Sequence, residues 1–199
     1  MSYKGVFLVV VVFLLASLAQ AQNRVELFAG YSFLHGAVNT PLSIFPEDMH
    51  LNGWNASAAG RLVPHVQALA DFGGYYASPT VVLSCAVQGV PFHCPGPLHT
   101  HIYNVLFGPQ VSASMGKLTP FAHALFGVAH ITVSPGNSPS FSDTRFADAI
   151  GGGGDYWLTH RVGLRVQADY FQNRLFSGGV ESTPAQNNLR FSTGIVFRP

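Results

Sequence analysis

The chain has 199 residues, of which 48 % are hydrophobic and only 10 % are charged. An average soluble domain carries about 25 % charged residues, so this composition argues against an ordinary cytosolic protein and against a disordered one. The formal net charge of +1 provides no basic surface for nucleic acid. The 21 glycines and 13 prolines indicate many turns, and the composition as a whole favours a membrane or secreted β protein.

The beginning of the chain has the three parts of an export signal. Lys4 supplies a positive charge, Val6–Leu18 is a nearly unbroken apolar run, and Ala19–Ala21 fits a small-residue cleavage site. The apolar run is shorter than the roughly 20 residues that a membrane-spanning helix needs. We therefore predict a cleaved signal peptide over residues 1–21 and a single domain over residues 22–199.

The rest of the chain alternates apolar and polar residues with a period of two, which is the pattern of strands with one apolar face. Five segments show it regularly: Arg24–Leu34, His65–Tyr76, His101–Ser114, Arg161–Phe171 and Leu189–Phe197. Three weaker segments bring the number of predicted strands to eight: Leu51–Leu62, Phe121–Val133 and Thr144–Leu158.

The connections between the predicted strands alternate between long and short. Ser78–Leu98 and Ser134–Asp143 are long, whereas Val63–Pro64 and Thr159–His160 are tight turns. Long outer loops and short periplasmic turns are typical of outer-membrane barrels. In lipid, strands can span only as a closed barrel, because no backbone group can stay unpaired.

Two further features favour a membrane barrel over a soluble one. The charged residues are too few to coat a soluble surface. Aromatic residues also cluster near predicted strand ends, as in membrane girdles: Tyr31/Phe33, Tyr75/Tyr76, Tyr156/Trp157 and Tyr170/Phe171. We predict an all-β fold, an eight-stranded antiparallel up-and-down transmembrane β-barrel.

Charged residues lie on the polar faces of the predicted strands, which such a barrel would enclose. Buried charges need partners, and an eight-stranded barrel is only just wide enough for side chains. We therefore predict an interior ion-pair network of Glu26, Asp71, Arg165, Asp169 and Arg190. It has two interpretations, a structural filling that holds the barrel together or a gate whose ion pairs exchange to open a small conductance.

Asp148 does not fit this scheme, because the alternation places it on the apolar face with Phe146 and Ile150. Either Asp148 lies near the outer rim, or the run Gly151–Gly154 contains a β-bulge that shifts the faces. The same glycines would let large interior side chains or neighbouring backbones approach closely.

Cys85 and Cys94 lie in one predicted loop, and a disulfide between them is the natural prediction for an exported chain. The alternative is a metal site formed by Cys94 with His93, His99 and His101, because His and Cys are the usual zinc ligands. Their spacings match no established zinc motif, so we expect no metal and no cofactor.

Residues of the types used in hydrolysis occur near the predicted outer rim: His50, Ser84, His99, Ser142 and Asp143. None of them stands in a recognisable catalytic motif. We therefore expect that the protein is not an enzyme, and a rim enzyme acting on envelope lipid is the least favoured alternative.

Two stretches resemble a known family. The last strand, Leu189–Pro199, is similar to the C-terminal assembly signal of outer-membrane barrels, with Phe191, Ile195 and Phe197 on one face. Unlike the commonest pattern, it does not end on the aromatic residue. Phe146–Tyr170 resembles the sixth and seventh strands of small OmpA-type barrels. The chain is thus similar to OmpA/OmpX-type small outer-membrane barrels, and we expect it to lack the peptidoglycan-binding domain of full-length OmpA proteins.

The resemblance implies an integral protein of the Gram-negative cell outer membrane. We expect a structural or surface-interaction role, a polar and charged interior and long extracellular loops. A small, weakly conducting channel gated by the interior ion pairs is the alternative. The expected partners are outer-membrane lipid and, during biogenesis, the barrel-assembly machinery and periplasmic chaperones. We expect a monomer that binds no nucleic acid.

Overall fold

The structure is a computed structural model that describes residues 25–36, 49–78, 80–87, 90–135, 140–173 and 186–199. The predicted signal peptide, residues 1–21, lies outside the described residues. The described residues form nine strands: β1 (Val25–Gly36), β2 (Met49–Val63), β3 (Val66–Ala77), β4 (Thr80–Val87), β5 (Val90–Ser112), β6 (Leu118–Pro135), β7 (Phe141–Trp157), β8 (Val162–Asn173) and β9 (Gln186–Phe197). They include no helix long and apolar enough to cross a membrane.

Eight of these strands close into an antiparallel barrel. Each strand pairs with its neighbour in the chain, except that β3 pairs directly with β5, and β9 pairs with β1 to close the circle. The predicted eight-stranded up-and-down barrel is therefore confirmed. Below, the lower end of the barrel is the end with the short turns at residues 64–65, 113–117 and 158–161, and the upper end is the opposite one.

The strand β4 belongs to a hairpin that extends the barrel at its upper end. It pairs with the first part of β5, from Val90 to Pro97, before β5 joins β6 at Leu98. This segment was predicted as the loop Ser78–Leu98, and that prediction was wrong. The β-branched and apolar residues of β4 favour a strand. Prolines in the facing part of β5 are tolerated because that part pairs on one side only.

The two faces of the barrel wall differ sharply in exposure. Along β8, Leu164 and Val166 are 49 % and 63 % exposed, whereas Arg165 and Gln167 are 1 % and 3 % exposed. The other barrel strands repeat this alternation, so that large apolar side chains cover the outside. Soluble monomers rarely expose a continuous apolar surface of this kind.

Adjacent aromatic residues do not share a face, which corrects the predicted girdle. One member of each adjacent pair faces outward and the other is buried inside the barrel, since successive side chains of a strand point to opposite faces. The buried members are Tyr75, Trp157 and Phe171, and the exposed members are Tyr76, Tyr156 and Tyr170.

An aromatic belt does cross the outer face towards the upper end, on β1, β2, β3 and β5. It consists of Tyr31, Trp54, Tyr76 and Tyr103. The Trp54 indole Nε1 donates a hydrogen bond to the Tyr76 hydroxyl over 3.4 Å, and Tyr76 donates to Tyr103 over 3.3 Å. The Trp54 ring lies over Gly74, where an added Cβ would come within 2.6 Å of Nε1. The glycine therefore makes room for the indole.

Asp148 lies on the outer face, between Phe126 of β6 and Gln172 of β8. The pairing register of β7 runs without a shift through Gly151–Gly154 on both sides, so the bulge interpretation is wrong. The pair Asp148–Gln172 is the second from the upper end of the β7–β8 ladder. On the β8 side Asp148 is therefore near the upper end, whereas on the β6 side β7 continues upward for seven further paired residues.

A charge placed on the outer face tests whether this face meets lipid. Val166 lies midway along β8, and an Arg at mid-membrane costs about 2–4 kcal/mol, compared with about 0–1 kcal/mol near an interface. We expect Val166→Arg to lower the free energy of unfolding in phospholipid vesicles by the larger amount. Leu158→Arg, in the lower turn, is the matched control. Equal costs for the two variants would contradict a lipid-facing position for Val166.

Candidate functional site: the barrel interior

The middle of the barrel is held by one arginine that joins two carboxylates. Arg190 of β9 donates from Nη1 to Asp71 Oδ1 of β3 and from Nε to Asp169 Oδ2 of β8, both over 2.7 Å. All three side chains are buried. His123 Nε2 of β6 contacts the other oxygen of Asp169 at 2.7 Å. Four strands are therefore tied together by one set of charge-assisted hydrogen bonds.

Neutral amides surround the two carboxylates of this network. Asn55 donates to Asp71 Oδ2 over 2.8 Å, and Asn104 donates to Asp71 Oδ1 over 3.3 Å. Gln167 donates to both Asn55 and Asp169 over 3.3 Å. Burying a charge costs free energy unless the charge is hydrogen-bonded. These amides donate hydrogen bonds to the carboxylates that water would donate at an exposed site.

A second ion-pair group lies closer to the lower end. Arg165 of β8 binds Asp155 of β7 through both Nε and Nη2, at 2.6 Å and 2.8 Å, in the bidentate geometry that favours strong pairing. Its Nη2 is also 3.6 Å from a Glu26 carboxylate oxygen. Arg198, just after β9, donates to Glu26 Oε1 from Nε and Nη2 over 2.9 Å and 2.7 Å.

Aromatic rings enclose both of these lower guanidinium groups. The Arg165 guanidinium carbon is 4.5 Å from the ring centroid of Phe121 and 5.3 Å from that of Phe28. The Arg198 guanidinium carbon is 3.5 Å from the ring centroid of Trp157. These are cation–π distances, and they hold each guanidinium against apolar surface while its nitrogens reach the carboxylates.

The structure places all five predicted network residues inside the barrel, in two groups. Arg190, Asp71 and Asp169 form the middle group, while Arg165 and Glu26 belong to the lower one. Three further members were missed by the sequence analysis, namely His123, Asp155 and Arg198. Two of them lie on strands with weak alternation. Pairing β7 with β8 through their short turn would have identified Asp155, because that register sets it opposite Arg165.

Glycines on the inner face make room for the middle network. A Cβ on Gly151 would lie 2.1 Å from Asp169 Oδ1, and one on Gly73 would lie 2.3 Å from Asn104 Oδ1. Real Cβ atoms essentially never show such contacts. Gly151 thus admits both the Asp169 side chain and the neighbouring β8 backbone, and the close approach of a backbone is one of the two roles predicted for the glycine run.

Besides the predicted polar and charged residues, the interior contains a buried apolar cluster that reaches the upper end. Leu34, Leu51 and Phe171 lie within three residues of the upper ends of their strands and are at most 2 % exposed. They belong to one buried cluster that includes Ile102, Leu106, Leu125, Ile131 and Val133. The same cluster includes Ala59 and Leu69 near the lower turn of β2 and β3, and Leu106, which is paired with Asp71, so apolar and charged side chains lie next to each other along the interior.

The predicted disulfide and the alternative metal site are only partly within the described residues. The side chains of Cys85, Cys94 and His93 lie outside them, so the disulfide stays a prediction. His99 contacts the Ser78 hydroxyl through Nδ1 at 2.9 Å, and His101 packs edge-on against Tyr76. In the part of the chain that the structure describes, no three His, Cys, Asp or Glu residues converge as metal ligands.

Among the described side chains, the contacts of the candidate rim residues do not form a catalytic group. His50 contacts the ring of His35, and Asp143 accepts a hydrogen bond from Arg145 over 3.0 Å. Ser142 is exposed on the outer face, and the side chain of Ser84 lies outside the described residues.

Removing the central cation tests how strongly the network stabilises the barrel. Arg190→Met leaves Asp71 and Asp169 buried without their cation, which costs about 3–5 kcal/mol. Arg145→Met is the control, because the Arg145 side chain is 40 % exposed and such pairs contribute at most about 1 kcal/mol. Urea unfolding of the refolded proteins measures both costs. A loss of less than about 1 kcal/mol for Arg190→Met would show that the middle network does not stabilise the fold.

No family model and no curated protein sequence matches the chain. Among solved structures, it is similar to Neisserial surface protein A (NspA), with a TM-score of 0.60 and 12 % identity over 88 % of this chain and 97 % of that one. It is also similar to Ail, the attachment invasion locus protein of Yersinia pestis, with a TM-score of 0.54 and 12 % identity over 88 % and 99 % of the two chains. At this level of identity the likeness concerns the fold alone, and the fold is that of the small eight-stranded outer-membrane barrels.

Proposed function

We propose that the protein is a closed integral barrel of the Gram-negative outer membrane that has a structural or surface-interaction role. The observation that carries this proposal is the filling of the interior. Ion pairs join the wall at the middle and lower levels, and the apolar cluster packs beside them and extends to the upper level. An apolar constriction disfavours a water-filled path.

The outer face supports the location in a membrane. It combines large exposed apolar side chains with an aromatic belt towards the upper end, as a lipid-facing barrel wall does. The predicted signal peptide over residues 1–21 would deliver the chain to the periplasm. From there, Phe191, Ile195 and Phe197 would direct it to the barrel-assembly machinery. These three side chains lie on the outer face of β9.

The surface role would belong to the upper end. There the β4–β5 hairpin extends beyond the ring of barrel strands and presents a two-stranded sheet to the surroundings. The names of the two similar structures, a surface protein and an attachment invasion locus protein, agree with a role at the cell surface. We propose a monomer held by outer-membrane lipid, with chaperones and the assembly machinery as partners during biogenesis only.

Bilayer recordings distinguish this closed barrel from a gated channel. We expect the refolded protein over residues 22–199 to give no discrete openings in a planar bilayer, because the apolar cluster excludes water from the upper interior. Heat-modifiable gel mobility confirms folding beforehand. Discrete openings that change when Arg165 or Arg190 is neutralised would contradict the proposal and support a channel gated by the interior ion pairs.

Epitope insertion tests the proposed orientation and location. We expect an epitope inserted between Val87 and Val90 to bind antibody on intact Gram-negative cells, because the hairpin would project outward. The same epitope inserted between Thr159 and His160 is the control, and it would bind only after the outer membrane is permeabilised. Labelling of the control insertion alone on intact cells would reverse the proposed orientation, and labelling of neither would argue against an outer-membrane location.

A further inference from the structure

Histidines are concentrated on the outer face near the upper end of the barrel. Five of them have side chains there among the described residues: His35, His50, His99, His101 and His130. Three of these rings contact hydroxyl groups or pack against a tyrosine ring. His35 and His50 differ from the other three, because their two imidazole rings contact each other.

The two rings are brought together by the strand register. His35 of β1 and His50 of β2 are directly opposite each other in the antiparallel ladder. Their Nδ1 atoms are 3.0 Å apart, and their ring centroids are 4.8 Å apart with planes inclined by 19°. His50 also stacks on Phe33, at a centroid distance of 5.6 Å. Two paired strands thus bring the imidazoles together, and the Phe33 ring packs against that of His50.

This spacing suits two nitrogen ligands of one metal ion. First-row metals bind imidazole nitrogen at about 2.0–2.1 Å, so two nitrogens 3.0 Å apart subtend an angle of roughly 94° at the metal. That angle matches neighbouring positions of the square-planar or tetragonal geometry of Cu(II) and Ni(II). A tetrahedral ion such as Zn(II) would need about 3.3 Å between the nitrogens.

We propose that His35 and His50 form a two-nitrogen chelate for a divalent transition-metal ion, with Cu(II) or Ni(II) preferred. Without metal, one imidazole donates a hydrogen bond to the other through Nδ1, and metal binding replaces that proton. No three potential ligands converge within the described residues, so among them the two imidazoles are the protein ligands of this site. The pair lies beyond the aromatic belt, at the level where lipid headgroups would meet the barrel.

Copper titration of the refolded, untagged protein tests the site, with CuCl₂ as the only added metal. We expect binding by calorimetry and an electron paramagnetic resonance spectrum with two coordinated imidazole nitrogens. His35→Ala and His50→Ala should each weaken binding by about tenfold or more, since losing even a group that hydrogen-bonds a metal ligand costs about 10–100-fold. Zn(II) should bind more weakly than Cu(II).

His130→Ala is the matched control, because His130 is also exposed on the outer face and contacts only hydroxyl groups in the described structure. It should bind copper like the wild type. All variants are first checked for heat-modifiable mobility, and exposed substitutions of this kind should leave folding intact. Unchanged copper affinity in both His35→Ala and His50→Ala would overturn the proposal. A copper spectrum without coordinated imidazole nitrogen would also overturn it.

Discussion

The pairing of β1 with β9 is the constraint on which the rest of the structure depends, because it turns an open sheet into a barrel without edges. In lipid an unpaired strand edge would be too costly to exist. Gly30 and Gly194 face each other at this seam, and a Cβ on either would come within 2.3 Å of the partner backbone. Once the seam is closed, every second side chain must find a place in a narrow interior. The ion pairs and amides satisfy the polar side chains that point inward, and the inward glycines leave space for them.

Two kinds of packing fill this interior. Charged groups at the middle and the lower end are joined by Arg190 and Arg165, which each reach carboxylates on other strands. Apolar side chains pack among these groups and extend to the upper ends of β1, β2 and β8. A further ion pair, between Asp143 and Arg145, lies near the upper end of β7.

The eight barrel strands and the inward position of the five predicted charges could be predicted from the sequence, because both follow from a period of two. The hairpin strand β4 could not, since its continuous apolar run has no alternation and sits among prolines that suggest a loop. His123 and Asp155 were missed because they lie on strands with weak alternation. The contact between His35 and His50 depends on the register between β1 and β2. The sequence does not predict that register, because residues 37–48 form a long connection between the two strands.

The ion pair between Glu26 and Arg198 has a consequence for how the barrel forms. Its two residues are 172 positions apart, so it can appear only after nearly the whole chain has been laid down and the seam has closed. Contacts of such high sequence separation make folding slow, since the entropy of loop closure is lost before the contact forms. The Glu26–Arg198 pair is one of many such contacts along the β1–β9 seam, so a barrel closed in this way forms more slowly than a chain of the same length held by local contacts.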